Sequence, residues 1–460
     1  MRARKDAGPR HHPDLRRAAL AALLLATALS APTRALSPQT APPPTAAPQT
    51  VTPPTATGLS MVATYDVTLH LDWDTRRVKV VTEIDLVNTS GQAVDRLHLN
   101  TIAAELGAMR RLDIRVDGSA AAARVRGQTI TVPLAGPLAD GVSASVRVAY
   151  RAQLTRSARG RDFLWSRLGG VAHLYRFIPW LSRSIPFGPH GHGEPFVTPV
   201  SPYVRVSASA DRDLVWATSG QRISRAGGTS VFEARNVRDF NIAASPGYRT
   251  RSGRSIDGQT RIIVRTRSAD GRRLLGLARE EIDRYERLTG VQYPYPTFEV
   301  AESGAGLAME SPALIWIPGW RSPADQPLLV SHETAHQWFY AIVGNDQAAD
   351  AFADEALADL LSRRARSSLR ASRCRTDRLD RDIGDYSRLC YYEVIYIQGG
   401  LFLDGLRRDF GGGRFKRAIR AYARDYAFGM GGDRRLLEAL RAEMGDGVLR
   451  RYRARFPSLY

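Results

Sequence analysis

Between about residues 60 and 250 apolar and polar residues alternate in short runs, the period of strands that bury one face. The runs YDVTLHLDWD, VKVVTEIDLVN, SASVRVAYRAQL and YVRVSASA show it most plainly, each bounded by turn residues such as those of NTSGQ and LADG. An all-β module is expected over this stretch. Its one irregular segment, HLYRFIPWLSRSIPFGPHGHGEPF from His173 to Phe196, is rich in Pro, Gly and aromatic residues. His190 and His192 lie within it without an acidic cluster beside them, and are expected to face solvent as loop residues. Beyond Asp270 the period lengthens. RRLLGLAREEIDRYERLTG repeats apolar residues at three and four and stops at Gly290, a helix with its terminator. Tyr293 to Pro318 then predicts two strands joined by a Gly-containing turn, and the chain from Asp325 onward predicts mostly helix. No internal repeat interrupts this order, so the fold class is α+β, β first and helical afterwards.

The ends of that pattern set the domain organisation. Arg16 and Arg17 precede an apolar run from Ala18 to Ala31, of the length of a signal-peptide core and short for a permanent span. Residues 1–35 are therefore expected to be a signal peptide, cleaved after Ala28 or Ala35. Residues 36–58 follow as a Pro/Thr-rich spacer, with the β module at 59–250 and a second domain at 251–460. No later apolar run reaches spanning length. The protein is expected to be secreted or extracytoplasmic, or tethered if the signal segment is retained.

With 43% hydrophobic residues in 460, the chain can bury substantial cores. Its formal charge of +19 raises nucleic acid or an anionic surface as a partner, but the excess is arginine spread along the chain, with lysine only at Lys5, Lys79 and Lys416. A specific nucleic-acid partner needs a localised basic footprint, and none is present. The two cysteines, Cys374 and Cys390, would meet an oxidising environment in an exported protein and can pair there. The loop so closed is worth roughly 3 kcal/mol. Two unrelated buried thiols are the alternative.

Candidate chemistry begins at DQPLLVSHETAHQWFYAIVG, where Asp325 can start a helix and Gly344 can stop it. His332 and His336 then stand one turn apart on one face and can share an ion, with Glu333 beside them to accept a proton from water on the metal. Zinc suits two imidazoles but needs a third protein ligand. Asp350 can open a second helix, AFADEALADLLSRRA, which carries Glu355, separated from His336 by eighteen residues, room for a turn and an antiparallel return. Asp359 follows one turn later and is expected to orient a liganding imidazole.

In these motifs the sequence resembles the gluzincin zinc metallopeptidases typified by aminopeptidase N and leukotriene hydrolase, peptidase family M1. The likeness rests on His-Glu-x-x-His, eighteen residues, then Glu, and on Gln337-Trp338-Phe339 directly after the second histidine. YPYP at Tyr293 and SGAGLAMES from Ser303 are similar to the family's amine-binding strand, and IYIQGGLFLDGLRRDFGG from Ile395 to its tyrosine helix. The resemblance implies a saddle-like β domain, a thermolysin-like catalytic domain and one zinc ion on His332, His336 and Glu355. It assigns Glu333 as general base, Glu310 with Ala308 and Met309 as the part that holds a substrate's free amine, and Tyr396 as the donor to the oxyanion. The chain departs from the family pattern at Ser311 and Asp354, where Asn is usual, and at Leu307 and Gln398. No large helical domain follows, so the pocket is expected to be more open.

The expected function is thus a zinc aminopeptidase whose partner is a peptide with a free N-terminus. Two alternatives stay open on the sequence: a thermolysin-like endopeptidase, suggested by Asp354-Glu355 with Asp359, and a non-catalytic cell-surface binding protein on the same fold. The preferred side chain and oligomeric state are not legible here.

Overall fold

The computed structural model describes residues 61–182, 192, 193, 196, 198–319, 324–363 and 373–460. The expected signal peptide, the spacer and His190 lie outside the described residues. Met61–Asp72 alternates buried and open positions along its length, with Tyr65, Val67, Leu69 and Leu71 on the inner face. It pairs antiparallel with Arg77–Asn88 from end to end and parallel with Val204–Ala210. These strands form the middle of an eight-stranded sheet among the described residues, and two four-stranded sheets belong to the same β-rich part. Each of the four alternating runs read from the sequence is a strand here: the burial of one face, which set their period, is what the sheet provides.

The second part opens with a hairpin that the sequence pattern did not announce. Arg249–Arg254 and Arg261–Thr266 pair antiparallel, and the first of them is polar and largely exposed, so it carries no alternation to read. They begin a five-stranded sheet whose next strands, Thr297–Ser303 and Leu314–Pro318, run parallel to Arg261–Thr266 and are buried throughout. One edge strand is Met309–Ser311, antiparallel to Leu314–Pro318 with Glu310 opposite Ile315. Three strands thus occupy Tyr293 to Pro318 where two were expected.

The helix Gly271–Thr289 packs on this sheet. Asp270 caps it by accepting from the Arg272 and Arg273 amides, and Gly290 ends it at φ 70°, a left-handed conformation suited to glycine. Its buried face also fixes the next helix, Gln326–Ala335: Tyr285 donates to the Ser331 carbonyl at 3.0 Å, and the Ser331 hydroxyl donates to Glu281 at 2.7 Å. This helix was expected to continue to Gly344. Instead it changes at His336 into a wide turn, Gln337–Ile342, in which the Ala341 amide bonds to the His336 carbonyl five residues back. Tertiary anchors draw the chain off the helical path. Gln337 accepts from the Ala313 amide at 2.9 Å and donates to the Ser311 carbonyl at 2.8 Å, while Trp338 donates to Val291 at 2.9 Å. The β-rich part is locked to the same turn by the buried Arg238, which donates to the Thr198 and Ile342 carbonyls, both at 3.1 Å.

The chain returns through a second wide turn, Phe352–Ala356, into the short helix Leu357–Ser362. Helices fill most of the remainder, including Gly399–Phe410. A β-rich part followed by a mainly helical part is the α+β order expected. Among the described residues no helix is long and apolar enough to cross a membrane.

Candidate active site

His332 lies in the last turn of Gln326–Ala335, His336 at its C-terminal cap, and Glu355 in the returning wide turn. Their ligand atoms converge. His332 Nε2 and His336 Nε2 are 3.2 Å apart, and Glu355 Oε2 is 3.4 Å from the first and 3.5 Å from the second. Around a tetrahedral zinc with bonds of about 2.0–2.1 Å, neighbouring ligand atoms stand about 3.4 Å apart. Glu355 Oε2 is buried and makes no hydrogen bond, so the oxygen aimed at the two rings is one that a cation would satisfy. The residues present fit a zinc ion.

The electrostatics agree. Burial opposes a charge on His336, but Asp354 and Glu355 outweigh it and hold the imidazole pKa well above its ordinary value. Burial likewise opposes the charge on Glu355, and His336 and His332 outweigh it, holding that carboxyl well below the usual range. A site that attracts protons in this way attracts a divalent cation by the same field, and the cation displaces the protons.

Asp359 does not orient either imidazole, contrary to expectation. It forms a two-pronged pair with Arg363, four residues on, at 2.6 and 2.7 Å. The carboxylate that holds a ligand is Asp354, whose Oδ1 is 2.6 Å from His336 Nδ1, both side chains being buried. The helical register explains the exchange: the wide turn brings Asp354 round to His336, while Asp359 falls a turn further along, level with Arg363.

Glu310 and Glu333 stand against His336, all three with ligand atoms within 4.8 Å of one another. Glu310 Oε1 is buried and makes no hydrogen bond, and burial raises its carboxyl above the ordinary carboxylate range, with His336 opposing. The strand that carries it is held from both sides. Asn241 of the β-rich part donates to the Ser311 hydroxyl at 2.6 Å, filling in behind the departure from Asn at that position. Upstream, His173 receives the Gly304 amide at 3.3 Å and contacts the Ser303 hydroxyl at 3.2 Å, which fixes the start of the loop into Glu310.

Tyr396 lies in the wide turn Tyr392–Gln398, its ring stacked on His332 with centroids 5.8 Å apart and planes 12° from parallel. The close approach of its helix depends on Gly399, where a Cβ would come within 2.7 Å of Ala356 Cβ. A disulfide joins Cys374 to Cys390 just before this turn.

His332, His336, Glu355, Glu310, Glu333 and Tyr396 line a cavity of about 380 Å³, to which Ala308 and Met309 also contribute wall. His192 is a wall residue too, not the solvent-facing one expected. Its Nε2 is 3.0 Å from the Ile383 carbonyl and its ring leans on Tyr391, with centroids 5.5 Å apart. The sequence reasoning missed Asp354, Asn241 and His173. Only Asp354 had a local signal, as a second carboxylate beside Glu355 in an otherwise apolar run; the others come from sequence-distant strands.

No model of a known protein family matches the sequence, and no curated protein matches it. Solved structures do. An M1 zinc metallopeptidase from Deinococcus radiodurans superposes with TM-score 0.63 at 19% identity, covering 86% of this chain and 94% of that one. A variant of a two-domain M1 zinc metallopeptidase bound to L-arginine gives 0.63 at 18% identity, covering 86% and 93%. A variant of the Deinococcus radiodurans protein bound to the substrate Tyr-Ser-Ala gives 0.60 at 18%, with the same coverage. The chain has the fold of the two-domain M1 zinc metallopeptidases.

Proposed function

We propose that the protein is a zinc aminopeptidase that acts outside the cytoplasm and removes N-terminal residues from peptides. His332, His336 and Glu355 would hold one zinc ion. Bound there, the ion would supply Lewis-acid polarisation of the scissile carbonyl and would make a water molecule acidic enough to attack near neutral pH. Glu333 takes the proton from that water and passes it to the leaving amine. Tyr396 donates a hydrogen bond to the carbonyl oxygen as it gains charge, a contact worth about 3 kcal/mol in the transition state. Glu310, charged when it meets a substrate ammonium, fixes the free amine and so sets the cut at the first peptide bond.

The observation that carries this is the convergence of three ligand atoms at 3.2–3.5 Å with Glu310 and Glu333 in the same cavity. The structures of similar fold bound to L-arginine and to Tyr-Ser-Ala support an amino-acid and peptide pocket. The Cys374–Cys390 bond and the apolar run near the N-terminus support an extracytoplasmic site of action. We place the domain boundaries near 58 and 250.

The test is zinc content together with hydrolysis of one peptide in free-amine and N-acetylated forms. About one zinc per chain and cleavage of the free-amine form alone are expected. Equal cleavage of both at internal bonds would make it an endopeptidase, and metal-free, inert protein would make it a binding protein on this fold.

A further inference from the structure

We infer that Arg176, a residue of the β-rich part, is a positioning residue of the metal centre and acts on His336 through two intermediaries. The inference rests on the triad being a metal site. His336 Nδ1 donates to Asp354 Oδ1 at 2.6 Å, and the other oxygen of Asp354 accepts from the Gln347 amide nitrogen at 3.0 Å. That bond fixes which way the Gln347 amide points. Its oxygen, turned the other way, accepts from the Arg176 guanidinium at 3.0 Å. Arg176 is itself held by Asp239 at 3.0 Å, by the Tyr340 hydroxyl at 2.8 Å, and by the Phe196 ring 3.9 Å below its guanidinium carbon.

Every member of the path is buried, from His336 at 1% exposure to Gln347 at 7%. In such surroundings a lost link leaves a donor or acceptor unpaired and undoes the orientation of the next group along. The consequence at the metal is specific. Asp354 fixed in one orientation keeps the proton of His336 on Nδ1, so the lone pair of Nε2 faces His332 and Glu355. Arg176 branches as well to the other side of the cavity: its backbone amide donates to the Asn241 side chain, which donates to Ser311 on the strand of Glu310. The β-rich part therefore supplies a member of the metal site's support.

A purely structural role for Arg176 needs only Asp239 and Tyr340, which already pin it between the two parts. The two roles separate by substitution. Gln347→Met cuts the path to the metal and leaves the pin, whereas Tyr340→Phe weakens the pin and leaves the path. Zinc affinity, measured by competition with a chelator of known strength, and the melting temperature of the metal-free protein are the readouts. We expect Gln347→Met to weaken zinc binding about 10–100-fold and to change the visible spectrum of the cobalt-substituted site. Tyr340→Phe should lower the melting temperature with zinc affinity held within about threefold. If Gln347→Met does not fold, Arg176→Lys, which keeps the charge without the fork, should give the same loss of affinity. A folded Gln347→Met or Arg176→Lys protein that binds zinc as tightly as wild type overturns this inference alone. Wild-type protein that binds no zinc overturns the metal site and the inference with it.

Discussion

Glu333 faces the cavity beside His336 but is not one of the three converging ligands, so its part in the chemistry is separable from metal binding. Glu333→Gln should keep zinc content near wild type and lower kcat about 10²–10⁴-fold, the usual worth of a positioned base. Stoichiometric zinc with full activity would remove it from that role. Glu310→Gln keeps the shape of the strand and removes its charge. Loss of a charge-assisted bond of about 1.5–3 kcal/mol should lower kcat/KM for free-amine peptides roughly 10–100-fold. An unchanged kcat/KM would send the amine elsewhere. At this scale the sequence was most legible where one motif carried a geometric demand: two histidines a turn apart need a third ligand, and the spacing to Glu355 supplied it. Asp354 and Asp359 were exchanged because their roles depend on a wide turn that shifts the register, and nothing local distinguishes such a turn from an α-helix.

The elements that carry the site are held at close approach. Gly399→Ala would bring a Cβ to 2.7 Å from Ala356 and push the Tyr396 helix away from Glu355. The expected cost is about 1–3 kcal/mol of stability, with kcat reduced more than KM rises; a kinetically silent variant would show that the approach is not needed. Behind the Glu355 turn, Asp433 accepts from the Ala353 amide at 2.8 Å, and its second oxygen is buried without a partner. Its neighbour Asp350 is pushed by burial, and then by Asp346, from 3.8 to about 7. A carboxyl raised in the folded state keeps a proton that the unfolded chain has already given up, so its contribution to stability is lost as pH rises through that interval. The melting temperature should therefore fall between pH 4 and 7 by more in wild type than in Asp350→Asn, which cannot ionise. Parallel pH profiles would contradict this. The glycine stop at Gly290 was readable because capping is local. The breaks at His336 and Phe352 were not, because distant partners such as the Ser311 carbonyl and Asp433 make them.

Across the whole molecule, the order of β-rich part and helical part was readable from the two periods of hydrophobicity alone. What the pattern left out is how the two depend on each other. Arg238 and Asn241 are polar residues in a stretch read for its apolar alternation, and His173 and Arg176 lie in the segment read as irregular, yet each reaches the second part of the chain: the wide turns, the strand of Glu310 or the loop before it. A pattern that scores burial of apolar faces has no means of seeing buried polar bridges. The central claim is that one zinc ion on His332, His336 and Glu355 works beside Glu310 to open the first peptide bond. Its most direct test is the rate of release of the N-terminal residue from one peptide, in free-amine and N-acetylated forms, before chelation, after it, and after zinc is returned. The account predicts cleavage of the free-amine form only, lost on chelation and restored by about one equivalent of zinc. Cleavage that survives chelation, or that proceeds equally on the acetylated form, would contradict it.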